Sequence, residues 1–129
     1  MKCTFHHVGL KVTGENYEKT VTFYKEVLGL KERISWKGEA PACMLLMDDG
    51  GIIEIFGDGS PEDEQQPHWA HFAVAVDDVE AVYNKALEYG ATPHITPRDT
   101  AIPSAEPLHI RIAFVKCPGG EILEFFKEL

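Results

Sequence analysis

Apolar and polar side chains alternate along residues 5–12, and this period of two predicts a strand. His6 falls on its more apolar face, where we expect a structural role, and His7 falls on the opposite face. Apolar residues then recur every three or four positions over residues 15–28, which predicts a helix that ends at the natural C-cap Gly29. The short apolar runs that follow predict three further strands, at 31–37, 42–48 and 52–56.

The second half of the chain repeats this order of strand, helix and further strands. Alternation over residues 70–76 predicts a strand, and Asp77 with Glu80 resembles a capping box at the start of a helix that ends near Gly90. The remaining segments are a weak strand at 92–96, a proline-rich loop at 97–107, strands at 109–116 and 121–127, and a turn between those two strands at 118–120. Two halves with the same order of elements indicate an internal repeat.

Equivalent residues recur within this repeat. Residues 7–12 parallel residues 71–76, so each half opens with a strand that carries a histidine on its less apolar face. Each half also closes with a Gly-Gly pair and an apolar strand that contains one glutamate, Glu54 in the first half and Glu124 in the second. The repeat therefore pairs one histidine with one glutamate in each half.

A polar stretch without apolar side chains separates the two halves at about residues 59–67. We expect this stretch to be a loop or linker with a solvated acidic cluster formed by Glu62, Asp63 and Glu64. The chain would then be a single domain, with a first module at about 1–58 and a second module at about 68–129.

Composition narrows the class of protein. The chain has 129 residues, of which 44% are apolar and 26% are charged, and this is ordinary for one globular domain. It carries 21 acidic and 12 basic residues, and the net charge of −9 disfavours nucleic acid and anionic membranes as partners. No apolar run reaches the ~20 residues of a membrane helix. The three cysteines, Cys3, Cys43 and Cys117, form no CxxC pair and favour reduced thiols, so we expect a cytoplasmic protein.

The repeated histidines and glutamates are candidate metal ligands. Imidazole and carboxylate groups both suit a divalent transition metal, and a buried carboxylate without a partner costs several kcal/mol, roughly. Strand alternation also allows a structural alternative in which Glu54 simply faces solvent. The long spacing between these residues leaves both interpretations open.

At these residues the sequence resembles the vicinal oxygen chelate superfamily, which includes glyoxalase I, methylmalonyl-CoA epimerase, extradiol dioxygenases and the fosfomycin- and bleomycin-resistance proteins. The resemblance covers the whole chain. It rests on His7-Val-Gly-Leu-Lys-Val, Thr22-Phe-Tyr-Lys-Glu-Val-Leu-Gly-Leu, His71-Phe-Ala-Val-Ala-Val-Asp-Asp-Val and Cys117-Pro-Gly-Gly-Glu-Ile-Leu-Glu-Phe, with Cys117 where Asp is more usual. It implies an α+β fold of two βαβββ modules that form a curved, mostly antiparallel sheet around a metal cavity.

The resemblance also implies a site and an activity. The implied ligands of one divalent ion per chain, which could be Zn, Ni, Co or Mn, are His7, Glu54, His71 and Glu124. This set is most similar to glyoxalase I, which implies a metal-dependent isomerase or lyase that moves a proton through a metal-bound enediolate of a small-molecule substrate. In that interpretation Glu124 is the principal base, and Glu54 is a ligand and a second base. Family members commonly form dimers, so the resemblance implies a homodimer.

Two positions depart from the glyoxalase I pattern. Lys11 stands where an Arg is usual, and Asp58 stands where an Asn is usual. Because Asp cannot donate a hydrogen bond to a carboxylate, the resemblance does not extend to glutathione recognition. The alternatives within the superfamily are a drug- or metabolite-binding protein of bleomycin-resistance type, which the acidic charge favours, and a metal-dependent thiol transferase, dioxygenase or epimerase.

Overall fold

The computed structural model describes residues 1–65, 69–116 and 122–129. In chain order, the elements of these residues are β1 (Cys3–Lys11), α1 (Tyr17–Leu28), β2 (Lys31–Lys37), β3 (Pro41–Leu46), β4 (Ile52–Phe56), α2 (Pro61–Gln65), β5 (Trp69–Val76), α3 (Val79–Glu88), β6 (Thr92–Ile102), β7 (Leu108–Lys116) and β8 (Ile122–Glu128). The predicted turn at 118–120 and Cys117 lie outside the described residues.

The strands form one mixed sheet in the order β2-β3-β4-β1-β5-β8-β7-β6. β1 pairs with β4 in parallel, β5 pairs with β8 in parallel, and the other neighbouring strands are antiparallel. The order is symmetric about the central β1–β5 pair. On one side β1 is followed by β4, β3 and β2, and on the other side β5 is followed by the equivalent strands β8, β7 and β6. The predicted α+β fold of two βαβββ halves in a mostly antiparallel sheet is therefore confirmed.

The sheet curls so that its inner face encloses a core shared by both halves. Met44 and Ile52 of the first half pack in one cluster with Ile112 and Phe126 of the second half. Helix α1 packs against the outer face of the first half, and α3 packs against the outer face of the second. A charged group on the inner face therefore lies among apolar side chains, where it needs a partner.

The central β1–β5 pair sets the positions of the two candidate histidines. In its antiparallel register His7 lies opposite Ala73, and His71 lies opposite Gly9. The register shifts between Phe5 and His7, so the regular alternation of faces is interrupted just before the first histidine.

The helix ends agree only in part with the sequence pattern. Gly29 is the C-cap of α1, as predicted, and it has the left-handed φ of 74° that glycine adopts without a steric cost. The capping box predicted at Asp77 is wrong. Asp78 is the N-cap of α3 and accepts a hydrogen bond from the Ala81 N–H at 3.0 Å, while Glu80 pairs with an arginine instead, Arg111 on β7.

The predicted loop at 97–107 is also wrong over its first six residues, because β6 continues to Ile102. Among the described strands, β6 lies at the edge of the sheet and pairs with β7 alone, so the backbone on its other side donates no hydrogen bonds to a neighbouring strand. Pro93 and Pro97, which lack an N–H, can therefore lie within the strand. The register with β7 shifts on either side of Ile95.

The predicted linker contains a helix, α2, which the sequence pattern did not indicate. The Ser60 and Asp63 side chains each accept a hydrogen bond from the other residue's N–H, and this capping box starts the helix at Pro61. The expectation of a solvated acidic cluster is wrong for Glu64. Its carboxylate accepts hydrogen bonds from the Thr13 N–H at 2.9 Å and from Asn16 Nδ2 at 3.0 Å, so α2 is held against the end of β1.

Two broader expectations concern cysteines and membranes. Among the described residues Cys43 is buried and Cys3 is exposed, and both are free thiols. No helix in the described part of the chain has the length and apolar character needed to cross a membrane.

Candidate metal centre

Four adjacent strands at the centre of the sheet carry the four predicted site residues. His7 lies on β1 and His71 on β5, and these strands are paired. Glu54 lies on β4 beside β1, and Glu124 lies on β8 beside β5. The repeat thus places the histidine and the glutamate of each half on neighbouring strands. The pairing of β1 with β5 then brings the two histidine–glutamate pairs together.

The donor atoms of these side chains converge. His7 Nε2 lies 2.9 Å from His71 Nε2, 3.1 Å from Glu54 Oε1 and 3.0 Å from Glu124 Oε1. His71 Nε2 lies 3.4 Å from Glu54 Oε1 and 3.2 Å from Glu124 Oε1. Two ligand atoms held at about 2.1 Å from one ion, at roughly right-angled or tetrahedral spacing, lie about 3.0–3.4 Å apart. The spacing of these atoms therefore fits ligands of a single metal ion.

Three of these residues form a group with the geometry of metal ligands. His7, His71 and Glu124 offer donor atoms that all lie within 4.8 Å of one another. Glu54 stands outside that group, but its Oε1 atom contacts the Nε2 atoms of both histidines. Both glutamates therefore bring an oxygen atom within 3.4 Å of both histidine nitrogens.

Burial favours a positive charge at this point. His7 is fully buried, and Glu54 and Glu124 are only 6% and 4% exposed. The two Nε2 atoms can share only a single proton, and the carboxylate oxygens beside them carry lone pairs. Buried electron-pair donors at such distances are stable only around a positive charge. The alternative in which Glu54 faces solvent is therefore wrong.

The charges of the centre shift the pKa values of its groups. Burial alone lowers the pKa of His71, but hydrogen bonds to Glu124 and Glu54 outweigh burial and raise it to about 9. The same balance raises the pKa of His7. Burial favours a higher pKa for Glu54, but hydrogen bonds from His7 and His71 outweigh it and lower the pKa. The centre therefore attracts positive charge, either as protons or as a metal ion.

A glycine creates the space for the second histidine. A Cβ atom added to Gly9 would lie 2.6 Å from His71 Nδ1, which is too close for any side chain at that position. On its other sides the His71 ring has aromatic neighbours, with the Phe114 centroid at 5.7 Å and the Phe56 centroid at 6.1 Å. Trp36 in turn packs edge-on to Phe56. His71 is thus positioned by shape and lies beside an aromatic wall.

Comparison with known proteins identifies the family. Residues 4–125 match the sequence model of the Glyoxalase/Bleomycin resistance protein/Dioxygenase superfamily. The chain belongs to this superfamily. The uncharacterized protein YwbC of Bacillus subtilis (strain 168) is 33% identical in an alignment of 126 residues that covers 94% of this chain and 94% of YwbC.

Solved structures of the superfamily type share the fold. A hypothetical protein from Bacillus halodurans C-125 aligns with a TM-score of 0.74 and 20% identity, over 100% of this chain and 96% of that one. Methylmalonyl-CoA epimerase in complex with methylmalonyl-CoA and NH4+ aligns with a TM-score of 0.72 and 19% identity, over 98% of this chain and 95% of the epimerase. At these identities the likeness concerns the fold alone.

The two residues that depart from the superfamily's glyoxalase I pattern contact each other. Lys11 Nζ lies 3.8 Å from Asp58 Oδ1, and both side chains are about half exposed. An exposed pair at this distance is a weak interaction, but it leaves neither charge without a partner.

The structure corrects the position predicted for His6. The register shift before His7 brings His6 to the same side of the sheet, and the two Nδ1 atoms lie 2.8 Å apart. His6 Nε2 lies 3.0 Å from Glu128 Oε2, and burial of the ring, the largest influence, lowers the His6 pKa. His6 and Glu128 therefore belong to the surroundings of the centre. The His-His pair in the sequence was the only available signal, since a strand irregularity has no clear sequence pattern.

Proposed function

We propose that this superfamily member is a metal-dependent isomerase or lyase of glyoxalase I type, which moves a proton between adjacent carbons of a small-molecule substrate. The observation that carries this proposal is that two buried glutamates, rather than one, contact the histidine pair. One glutamate with two histidines suffices to hold a divalent ion, so the second is available as a base. We expect the ion to be Zn, Ni, Co or Mn, because imidazole and carboxylate ligands do not discriminate sharply among them.

His7, His71, Glu54 and Glu124 are the residues that would hold the ion. A divalent ion supplies Lewis acidity, which stabilises negative charge that develops on a substrate oxygen. The resemblance to glyoxalase I gives Glu54 the role of a lasting ligand, and its Oε1 atom contacts the Nε2 atoms of both histidines at 3.1 and 3.4 Å. The raised pKa values of the histidines are consistent with a centre that binds positive charge tightly.

Glu124 is the group that we propose as principal base. The resemblance to glyoxalase I implies this role for Glu124, and its Oε1 atom lies within 3.2 Å of both histidine nitrogens. A base has to lie within hydrogen-bond reach of the carbon proton that it removes. Glu124 would take the proton from the carbon next to the substrate carbonyl and return it to the neighbouring carbon, so no external donor is consumed.

The surroundings favour a substrate with an apolar group over glutathione. Trp36, Phe56 and Phe114 form an aromatic wall beside His71. Lys11 is engaged with Asp58, so its charge is already partly neutralised at the position where the glyoxalase I pattern has an Arg. The overall charge of −9 also supports a neutral or cationic small molecule over nucleic acid or an anionic membrane.

Turnover by a Glu124→Gln variant tests the function. We would screen methylglyoxal with several thiols, each with Zn²⁺, Ni²⁺, Co²⁺ and Mn²⁺, and then compare wild type, Glu124→Gln and the exposed control Glu88→Gln. Loss of a general base predicts at least a ~100-fold slower turnover in Glu124→Gln, with metal still bound, and no change in the control. Near-normal turnover in Glu124→Gln on any substrate found would reject its role as base.

Epimerisation is the second candidate function. Glu54 and Glu124 come from opposite halves of the sheet, and two bases on opposite sides of one carbon are what an epimerase needs. Incorporation of solvent deuterium into a chiral 2-substituted acyl thioester, with loss of its stereochemical purity, would favour the epimerase over the glyoxalase-type reaction. If the protein catalyses neither reaction with any of the four metals, the remaining candidate is a drug- or metabolite-binding protein.

We also propose that the protein forms a homodimer. Phe5 on β1 and Phe72 on β5 are 49% and 47% exposed, and their rings lie 5.2 Å apart. Exposed aromatic side chains in contact favour an interface, and two-fold dimers are the commonest oligomers. Light scattering at micromolar concentration should give twice the chain mass of 14.4 kDa. A mass that stays at 14.4 kDa would contradict the dimer.

A further inference from the structure

We propose that His6, Glu128 and Arg33 form a hydrogen-bonded relay that positions His7 and holds the tautomer in which its Nε2 atom is free to bind metal. This inference rests on the proposed metal centre, because it concerns how one ligand of that centre is prepared. The three residues are positioning residues, since none of them touches the point where the ion would lie.

The relay begins with the contact between consecutive histidines. The register shift before His7 places both rings on one side of the strand, and their Nδ1 atoms lie 2.8 Å apart. The rings are nearly perpendicular, with an interplanar angle of 80°. The Phe126 ring packs against both of them, at 4.1 Å from His6 and 5.1 Å from His7. The pair is therefore held by packing as well as by the hydrogen bond.

The direction of this hydrogen bond follows from the other nitrogen of His7. His7 Nε2 faces His71 Nε2 and two carboxylate oxygens, so as a metal ligand it must carry a lone pair and no proton. A neutral imidazole then has its proton on Nδ1. In the metal-loaded protein, His7 Nδ1–H therefore donates to His6 Nδ1, which must accept.

The same rule fixes the second step of the relay. Because His6 accepts at Nδ1, its proton lies on Nε2, and Nε2–H donates to Glu128 Oε2 at 3.0 Å. The other oxygen of that carboxylate, Oε1, accepts from Arg33 Nη2 at 2.6 Å. Each of the three hydrogen bonds in the relay thus joins one donor to one acceptor. The relay runs from the Arg33 guanidinium on β2 to the ligand His7 on β1.

The relay belongs to one half of the molecule. The residue before His71 is Ala70, whose side chain offers neither donor nor acceptor, so the second half has no equivalent of His6. His71 is positioned instead by the space above Gly9. An accidental contact between exposed side chains does not explain the relay, because His6 is buried and its ring is packed against Phe126.

Zinc affinity of three His6 variants tests the relay. His6→Phe keeps the aromatic packing but removes both nitrogens, and His6→Gln keeps a donor near the Nε2 position but not the acceptor near Nδ1. We expect Zn²⁺ to dissociate about 10- to 100-fold more readily from both, as measured by competition with a chromophoric chelator. His6→Asn places an amide oxygen near the Nδ1 position and should stay within about threefold of wild type.

Two further variants separate the relay from general effects of charge. Glu128→Ala should weaken Zn²⁺ binding by about tenfold, since it leaves the His6 proton without its acceptor. Arg111→Met is the matched control. Arg111 also bridges two carboxylates, those of Glu80 and Asp99, and these partners belong neither to the centre nor to the relay. It should bind Zn²⁺ like wild type.

Proton positions provide a readout that a merely structural role would not give. Nitrogen-15 spectra of the Zn²⁺-loaded wild type should show His7 protonated at Nδ1 and His6 protonated at Nε2. The reverse assignment for either ring would overturn the relay, and this measurement needs no variant to fold. Equal Zn²⁺ affinity in wild type, His6→Phe and Glu128→Ala would overturn it as well, while the metal centre stands. A wild type that binds no divalent ion would overturn both.

Discussion

The two halves of the molecule place a histidine at the same point by different means. His7 in the first half is fully buried, and the ring of the preceding histidine hydrogen-bonds to it. His71 in the second half is held by shape, because its ring lies over Gly9 and beside Phe114. Equivalent strand positions therefore do not imply equivalent surroundings. We expect the first histidine to respond to changes in hydrogen bonding and the second to changes in volume.

The register of the central strands explains this difference. His7 lies opposite Ala73, and His71 lies opposite Gly9, so the repeat-equivalent positions 9 and 73 carry different residues. The methyl group of Ala73 is tolerated across from His7, but a methyl group on Gly9 would meet His71 Nδ1 at 2.6 Å. One missing carbon atom thus determines where the second imidazole lies.

Substitution of Gly9 should have the largest effect on the centre. In Gly9→Ala the added methyl group must displace the His71 ring, which we expect to weaken Zn²⁺ binding by about 100-fold and to cost about 1–3 kcal/mol of folding free energy. Competition titration and chemical denaturation measure the two effects. The mirror variant Ala73→Gly should cost about 1 kcal/mol of stability but leave Zn²⁺ affinity unchanged. An equal loss of Zn²⁺ affinity in both variants would contradict the claim that His71 depends on the space opposite it more than His7 does.

The pH dependence should show the proton that the metal displaces. The pKa of His71 is raised to about 9, so its Nε2 atom is protonated at neutral pH in the metal-free protein. Apparent Zn²⁺ affinity should therefore rise by about tenfold for each pH unit between pH 7 and 9 and level off above. Calorimetry in buffers of different ionisation enthalpy would detect the released proton. An affinity that is constant over this range would contradict the raised pKa.

Titration of His71 should also make the metal-free protein less stable as pH rises, whereas Zn²⁺ affinity should increase. Because the pKa of His71 is higher in the folded state than its ordinary value of 6.5, its contribution is complete below pH 6.5 and is lost as pH rises through about 9. Denaturant midpoints of the metal-free protein should fall over that range. Protein saturated with Zn²⁺ should not show this decrease, because its histidines carry no exchangeable charge.

The helix N-termini of the two halves should differ by a smaller amount. Asp78 caps α3 through its side chain, whereas Asn16 at the start of α1 makes no such bond and instead contacts Glu64 of α2. Asp78→Ala should lower the free energy of unfolding by about 1 kcal/mol, or about 4 °C in Tm. Asn16→Ala should lower Tm less. A larger loss from Asn16→Ala would show that the docking of α2 contributes more than the cap.

The repeat is the reason that the sequence singles out four candidate site residues. Strand alternation places His7 and His71 on one face, and the matched Gly-Gly turns place Glu54 and Glu124 on equivalent strands. Both patterns are local in the sequence, so they can be recognised without knowing which strands pair in the sheet. That these strands become neighbours in the sheet follows from the β1–β5 pairing, which no local pattern contains.

The features that the sequence did not predict depend on irregular local geometry or on sheet position. The register shift before His7 reverses the face predicted for His6. The prolines of β6 are compatible with a strand only because β6 lies at the edge of the sheet. The Ser60 and Asp63 capping box could have been recognised, but the acidic residues around it favoured a linker.

Metal content after dialysis tests the central claim most directly. Wild type and His71→Ala would be loaded with Zn²⁺, dialysed against metal-free buffer and analysed by plasma mass spectrometry, with the surface variant His94→Ala as control. The four convergent donors predict about one ion per chain in wild type and in His94→Ala, and far less than one in His71→Ala. The same stoichiometry in all three proteins, or no retained ion in wild type, would contradict the metal centre.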